Sequence, residues 1–367
     1  MSLGRSKAWL YKWLDRYDLD NPAWYQERPR APLTCSQRTA REIEEIVKLV
    51  RLSLYNKDLF CGAQAIRWEL EEQNVTPLPS VRTINRILSR NDLTHRRTGR
   101  YAPKGVPYPS LPAKRPNFRH QADFVGPRHL RGQAGVIRFY SMNVVDLSTG
   151  RCGTQPVFTR SGNAVYEAFW AIWGRLGVPR HLQVDNEMVF YGSPTHPRGM
   201  GPLVRLCLAQ GIELWFIPQS EPWRNGVVEQ FNRHYQQKFL DRVAMHTVAQ
   251  LQESSLAFEQ KHNSRYRYSK LNGKTPLAAL AQTGMKPLRF PPAEPAPETP
   301  LQKPRTGRYH LIRFIRSDCK LDIFGERFRV SPALQYEYVV ATIDVKEQKL
   351  KLIHDQLQVD EFEYKLR

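Results

Sequence analysis

Eight runs between residues 120 and 240 decide the fold: HQADFV (120–125), VIRFYSMNVVD (136–146), RCGTQPVF (151–158), SGNAVYEAFWAIWGRL (161–176), HLQVD (181–185), LVRLCLAQ (203–210), ELWFI (213–217) and NGVVEQFNRHYQQKFL (225–240). The first three read as strands, and Ser148-Thr149-Gly150 turns the second into the third. The fourth run is an amphipathic helix with Val165, Phe169, Ile172 and Leu176 at helical spacing, stopped by Gly177-Val178-Pro179. Then strand, helix, strand and helix alternate, with a loop over 218–224 before the last helix. Three strands in a meander followed by this alternation predict a mixed α/β sheet with helices on its faces.

Three acids fall at the ends of these elements. Asp123 interrupts the apolar first strand, Asp185 ends the fourth strand, and Glu229 lies one turn into the last helix. A carboxylate in an apolar strand is costly unless it is paired or holds a metal. Three that converge repel one another, and hard divalent cations such as Mg²⁺ or Mn²⁺ remove that repulsion. Two such ions in one site would serve a phosphodiester displacement by activating the attacking oxygen and stabilising the leaving one.

Outward from this core the chain divides further. Residues 101–116 are rich in Pro and Gly inside a basic stretch, Leu93 to Arg138, that holds ten Lys or Arg and one acid, Asp123. They read as an extended linker suited to tracking a phosphate backbone. Residues 35–100 read as three helices: one over 36–53 capped by Ser36, one over 62–73, and one opened by Ser80. The third buries Val81, Ile84, Ile87 and Leu88 and turns Arg82, Asn85, Arg86 and Arg90 outward, so the region reads as a helix-turn-helix DNA-binding domain. Arg96, Arg97 and Arg100 extend its basic surface. Residues 1–34 carry one more helix, 5–17, with Ser6 as cap and Leu10, Trp13 and Leu14 inward; it is either an arm or the end of a truncated helix-turn-helix. On the other side, residues 117–285 hold the core with trailing helices, and 286–304 form a second linker containing seven prolines. The short alternating runs of 305–367 read as a small, separate β-barrel.

Composition agrees with a polyanionic partner. Net charge is +20 over 367 residues, and nucleic acid is the first candidate. No stretch has the apolar length of a membrane span, which leaves no membrane role. The five scattered cysteines have no zinc-ligand spacing and fit a reducing compartment.

The segments HQAD123F, VD185NE and PQSEPWRNGVVE229QFN232 resemble the catalytic core of retroviral integrases and bacterial insertion-sequence transposases, a superfamily with an RNase H-like fold. The resemblance implies that Asp123, Asp185 and Glu229 are the catalytic metal ligands. It implies cleavage of double-stranded DNA at mobile-element ends and joining of the 3′-hydroxyl ends to target DNA. It further implies a homo-oligomer on DNA, an accessory ATPase or other transposition protein as a candidate partner, and a cytoplasmic place at a bacterial or archaeal nucleoid. Trp223, Arg224, Arg233 and Lys238 become candidate DNA contacts around Glu229. The 43 residues between Asp185 and Glu229 exceed the family's usual spacing, and the excess falls at 191–202, a loop with an open question of DNA contact.

Other residues have blander readings. Asp146 caps a turn, Glu187 and Glu221 face solvent or hold loops, and Asn186 orients Asp185 or meets DNA. His120, His181 and His234 are structural or touch phosphate. Two other functions fit the same pattern: a sequence-specific DNA-binding regulator on an inactive scaffold, against which all three acids count, and a nuclease that cuts without joining.

Overall fold

A computed structural model of the chain describes residues 4–26, 39–94, 107–109, 111–113, 115–132, 135–192, 195–196, 198–284, 289–291 and 301–367. The chain divides into two compact units, Met1–Ile46 and Val47–Arg367. In the first, α1 (Lys7–Leu14) starts at Ser6, whose Oγ accepts from the Trp9 amide at 3.2 Å. Contrary to the inward stripe expected, no residue of α1 is buried. Eight residues offer too little surface to cover themselves. Trp13 instead meets Trp9 and Trp24 with ring centroids 6.2 and 6.3 Å apart.

The three expected helices are α2 (Arg41–Asn56), α3 (Ala63–Glu72) and α4 (Val81–Arg90). The Ser80 hydroxyl caps α4 by accepting from the Thr83 amide at 3.1 Å. Ile84, Ile87 and Leu88 are buried, whereas Arg82, Asn85, Arg86 and Arg90 are exposed. Ser36, Arg96, Arg97 and Arg100, half of the first expected linker and most of the second lie outside the described residues.

Among the described residues the main sheet has nine strands, which lie side by side in the order 357–363, 349–354, 338–344, 308–314, 213–216, 181–184, 119–132, 135–146 and 152–157. Its first half is the expected core: β1 (Arg119–Gly132), β2 (Gly135–Asp146), β3 (Cys152–Val157), β4 (His181–Val184) and β5 (Glu213–Phe216). Only β2 runs against the other four. Alternation along the strands separates two faces. Ala122, Met142, Val144, Leu182 and Val184 pack with α5 (Gly162–Leu176) and α7 (Pro202–Ala209). Val125, Val145 and Cys152 pack with α8 (Gly226–Tyr235) and α9 (Val248–Arg265). The two layers approach closely: a Cβ on Gly153 would meet Ile172 Cγ2 at 2.5 Å. Between β4 and α7 lies a short helix, α6 (Met188–Tyr191), which the sequence reading misses. The chain ends its helical part at α10 (Pro276–Gln282). Among the described residues no helix is long and apolar enough to cross a membrane.

The C-terminal segment departs from expectation. It is no closed, separate barrel: β6 (Arg308–Phe314) pairs in parallel with β5, and β9 (Tyr338–Asp344), β10 (Lys349–His354) and β11 (Leu357–Glu363) continue the same sheet. Strands β7 (Lys320–Ile323) and β8 (Glu326–Arg329) pair with each other in a separate ribbon. Without β6, β5 would present a row of unpaired backbone groups. One apolar core runs unbroken from Phe169 and Ile172 to Leu311, Ala341, Leu350 and Tyr364. The long loop after Asp185 belongs to this arrangement. Tyr191 stacks on Phe324 at 4.2 Å, and Arg198 donates to Glu326 at 2.9 Å and lies 4.9 Å from the Tyr364 ring.

At the opposite end, β3 is an edge strand covered by α9. The Cys152 amide donates to Asn263 Oδ1 and the Asn263 amide donates to the Cys152 carbonyl, both at 2.9 Å. Glu259 accepts from the Thr154 amide at 2.8 Å and from Arg175 Nε and Nη2 at 2.9 and 3.0 Å. Glu259→Ala strands the Arg175 charge and the Thr154 amide together. Chemical denaturation is expected to show a loss of about 3 kcal/mol, the low end for a broken buried pair because Arg175 is partly exposed. A loss below about 1 kcal/mol would mean that α9 is held by its apolar face alone.

Candidate active site

Strands β1 and β4 are parallel, with Gln121 opposite Gln183. Asp123 and Asp185 each follow this pair by two residues, and the Asp185 charge acts on the Asp123 carboxyl. Sequence reading passes over the element that brings Glu229 to them. Gln121 Oε1 accepts from the amides of Val227 and Val228 at 3.1 and 3.2 Å, two donors that the first turn of α8 cannot use itself. Gln121 Nε2 and Gln183 Nε2 both donate to the Arg224 carbonyl, at 3.2 and 2.9 Å. Asn225 Nδ2 donates to the Ala122 carbonyl at 3.0 Å. The start of α8 is therefore tied to both acid-bearing strands. The signal was present as a repeated pattern, Gln121-Ala-Asp123 and Gln183-Val-Asp185.

All three carboxyls are raised, and the charges of Asp185 and Glu229 both act on Asp123. Burial, then the Asp185 charge and the Glu229 charge, push Asp123 up to about 7, against hydrogen bonds from the Phe124 amide and Asn232. Burial pushes Asp185 up to about 6, opposed by Arg160. Glu229 is raised by burial and by Asp185, opposed by Arg233. A groove of about 540 Å³ opens beside Asp123, Glu229, Asn232, Arg233 and Gln236. Among the described residues no three His, Cys, Asp or Glu side chains are drawn together tightly enough to enclose a metal ion. The donor chemistry nevertheless fits a hard divalent cation, because three partly buried carboxyls, Asp123 raised by both others, gain from a positive charge beside them.

Behind Asp123 runs a buried polar chain. Asn232 Nδ2 donates to Asp123 Oδ2 at 2.9 Å, and Asn143 Nδ2 donates to Asn232 Oδ1 at 2.8 Å. The Ser141 hydroxyl lies 2.9 Å from Asn143 Oδ1 and 3.1 Å from the Tyr235 hydroxyl, which lies 3.2 Å from Ser255 Oγ. A carboxylate only accepts, so it fixes the amide of Asn232 and then that of Asn143. Ser141 has one proton and gives it to Asn143, so Tyr235 donates to Ser141. Each donor thus points toward Asp123, and such chains strengthen cooperatively.

The other candidates fall as follows. Asp146 caps its turn by accepting from the Ser148 and Thr149 amides, each at 3.3 Å. Glu187 pairs with Arg160, whose guanidinium also lies 5.1 Å from the Phe124 ring and 5.6 Å from that of Tyr140. Arg160 is a cation at the site that the sequence reading did not single out. Glu221 and Arg224 pair at 2.9 Å, and Arg224 stacks 3.7 Å from the Tyr108 ring, so its guanidinium is engaged within the protein. Trp223 is 48% exposed and is therefore not a core residue. Arg233 lines the groove, while Lys238 sits 5.7 Å from the Tyr55 ring. His120 is fully buried, held down to about 3 by burial and Arg151, and bonds to Asn117. Burial together with Lys238 and Arg233 holds His234 down to about 4. His181 lies 3.2 Å from Glu213 at the far end of its strand.

Residues 210–276 match the family model described as integrase core domain, a stretch that includes Glu229 but neither aspartate. Loose likenesses extend to solved structures. The HTLV-2 integrase catalytic core domain in complex with magnesium is 18% identical, with 45% of this chain and 97% of that one covered and a TM-score of 0.34. The simian T-cell lymphotropic virus intasome in complex with the PP2A regulatory subunit B56 gamma is 15% identical, with 81% and 88% covered and a TM-score of 0.39. The catalytic core domain of BIV integrase is 15% identical, with 46% and 95% covered and a TM-score of 0.33. Over 210–276 the chain is therefore similar to an integrase core domain, and that stretch carries Glu229, while Asp123 lies on β1 and Asp185 directly follows β4, where the motifs put them.

Proposed function

We propose that the chain cuts double-stranded DNA at mobile-element ends and joins the freed 3′-hydroxyls to target DNA. The observation that carries this reading is that Gln121 and Gln183 tie the start of α8, which bears Glu229, to the two strands that lead into Asp123 and Asp185. Asp123, Asp185 and Glu229 would hold the divalent cations, Mg²⁺ or Mn²⁺ and two per site, which when bound supply Lewis-acid activation of the phosphodiester and neutralise charge on its leaving oxygen. Asn232 keeps one oxygen of Asp123 engaged and so fixes the carboxylate's orientation. Arg160 and Arg233 supply positive charge for the flanking phosphates. In the first step water attacks phosphorus, and the element's 3′-oxygen leaves as a hydroxyl. In the second that hydroxyl attacks a target phosphodiester, and a target 3′-hydroxyl leaves. Both are displacements at phosphorus, so one site serves both. Two ends joined together require at least two protomers. The exposed face of α4, with Arg82, Asn85, Arg86 and Arg90, would read the element end in the major groove.

The test incubates the protein with labelled element-end DNA, target DNA and Mg²⁺. Wild type is expected to form joined products and Asp185→Asn none. Equal joining by both would remove Asp185 from the site. Cleavage without joining would make the protein a nuclease.

A further inference from the structure

The C-terminal strands reach the turn after Asp185 and the turn that precedes the helix bearing Glu229. Arg313 in β6 is buried, and its guanidinium meets neutral acceptors: Nε donates to the Asp322 carbonyl at 2.9 Å, Nη1 to the Ile217 carbonyl at 3.3 Å, and Nη2 to Asn186 Oδ1 at 2.9 Å. Asn186 Nδ2 donates in turn to the Ile217 carbonyl at 2.6 Å. Asn186 directly follows Asp185, so the planar fork of Arg313 holds the turn that presents that carboxylate. The Asp322 charge offsets only part of the burial of Arg313, and a buried cation held mainly by neutral acceptors is an expensive way to tie a core together. Packing alone would be served better by an apolar side chain.

The second tether starts at the first residue of β9. The Tyr338 hydroxyl donates to Glu221 Oε1 at 2.7 Å. Glu221 Oε2 accepts from Arg224 Nε at 2.9 Å, and Arg224 Nη2 donates to the Tyr338 oxygen at 3.2 Å. The Arg224 carbonyl is the acceptor that Gln121 and Gln183 share beneath the start of α8. Tyr338 therefore holds the 3₁₀ turn Pro222–Asn225 from outside while the two glutamines hold it from below.

We infer that Arg313 and Tyr338 are positioning residues for the acid site, so that the C-terminal strands set the distance between Asp185 and Glu229. The inference deepens the DNA-joining reading and rests on it for the reaction, but not for the geometry.

The test uses the full chain with Arg313→Lys, Tyr338→Phe and Asn186→Ala. Amide hydrogen exchange is followed over 184–187 and 218–226, Mn²⁺ affinity by titration, and joining by kinetics. Tyr338→Phe removes one hydroxyl and is expected to speed exchange in 218–226 about tenfold and leave 184–187 unchanged. Arg313→Lys and Asn186→Ala are expected to do the reverse, and combining them should cost no more than either alone. Joining kcat and Mn²⁺ affinity should each fall about 10- to 100-fold, with KM for DNA within about twofold. Unchanged exchange in both loops overturns the inference, and so do loosened loops with wild-type Mn²⁺ affinity. If Arg313→Lys does not fold, Asn186→Ala decides that tether. If wild type joins no DNA, the proposed reaction fails, while exchange and Mn²⁺ affinity still decide the positioning.

Discussion

Asp123→Asn is expected to unfold at a higher temperature than wild type in EDTA at pH 8.5, and to join no DNA. Burial and two neighbouring acids raise the Asp123 carboxyl from 3.8 to about 7. The folded state therefore keeps its proton over a range in which the unfolded chain has released it. Stability is undiminished below pH ~4, falls as pH rises from about 4 to about 7, and carries the full penalty above that. That rise of the Asp123 carboxyl corresponds to about 4 kcal/mol. Asparagine carries no charge and can still offer an oxygen to Asn232. Scanning calorimetry should show the variant a few degrees above wild type at pH 8.5 and level with it at pH 4. Mg²⁺ should raise wild type and not the variant. Loss of a ligand worth several kcal/mol to the transition state lowers joining by about 10³-fold or more. A variant that melts at or below wild type at pH 8.5 would mean that Asp123 is not strained by its neighbours. Such an inverse relation between stability and activity is common where a site is built from like charges.

Local signals were legible and long-range ones were not. Ser80 and Ser161 begin helices because a hydroxyl can satisfy an amide three residues on, and that is visible in any window of sequence. Gly177 ends α5 at φ 90°, where a side chain would be strained. The positions of Asp123, Asp185 and Glu229 followed from element order, and the β1–β4 register sets Gln121 and Gln183, two residues before each aspartate, level with one another. What holds Glu229 over them did not follow, because Gln121 and Gln183 look like ordinary polar residues until their shared acceptor at Arg224 is known. Strand partners were the larger omission. Alternation in 308–314 and 338–344 is the same whether these strands close a barrel or extend a sheet. Only the free edge of β5 decides between the two, and it lies some ninety residues away in sequence. The insertion at 191–202 is explained by the same fact: Tyr191 and Arg198 dock on Phe324, Glu326 and Tyr364, a surface that a separate barrel would not have placed beside them.

Ending the chain at residue 304 gives the second large effect. A separate barrel could be removed and leave a soluble core. The continuous sheet predicts instead that residues 47–304 do not fold. Tyr309, Leu311, Ala341, Ile343, Leu350 and Leu352 are each buried to within 1% of full coverage, and they share one cluster with Val184, Leu214 and Phe216. Their removal uncovers the apolar partners on β4 and β5 and exposes the backbone edge of β5 along its whole length. Deleting one large core side chain costs about 2–5 kcal/mol, and whole domains are stable by about 5–15 kcal/mol, so the loss of several exceeds what the fold has in reserve. A bare edge strand with the sequence Glu213-Leu-Trp-Phe-Ile is also a template for intermolecular pairing. Expression of the truncated chain should give aggregate, and refolding should give no cooperative transition by circular dichroism. Co-expression of 305–367 as a separate chain should recover soluble material, because β6 can then refill the edge. A truncated chain that is soluble, monomeric and cooperatively folded would show that β6 only leans on β5. The acid site would then have to be ordered without Arg313 and Tyr338.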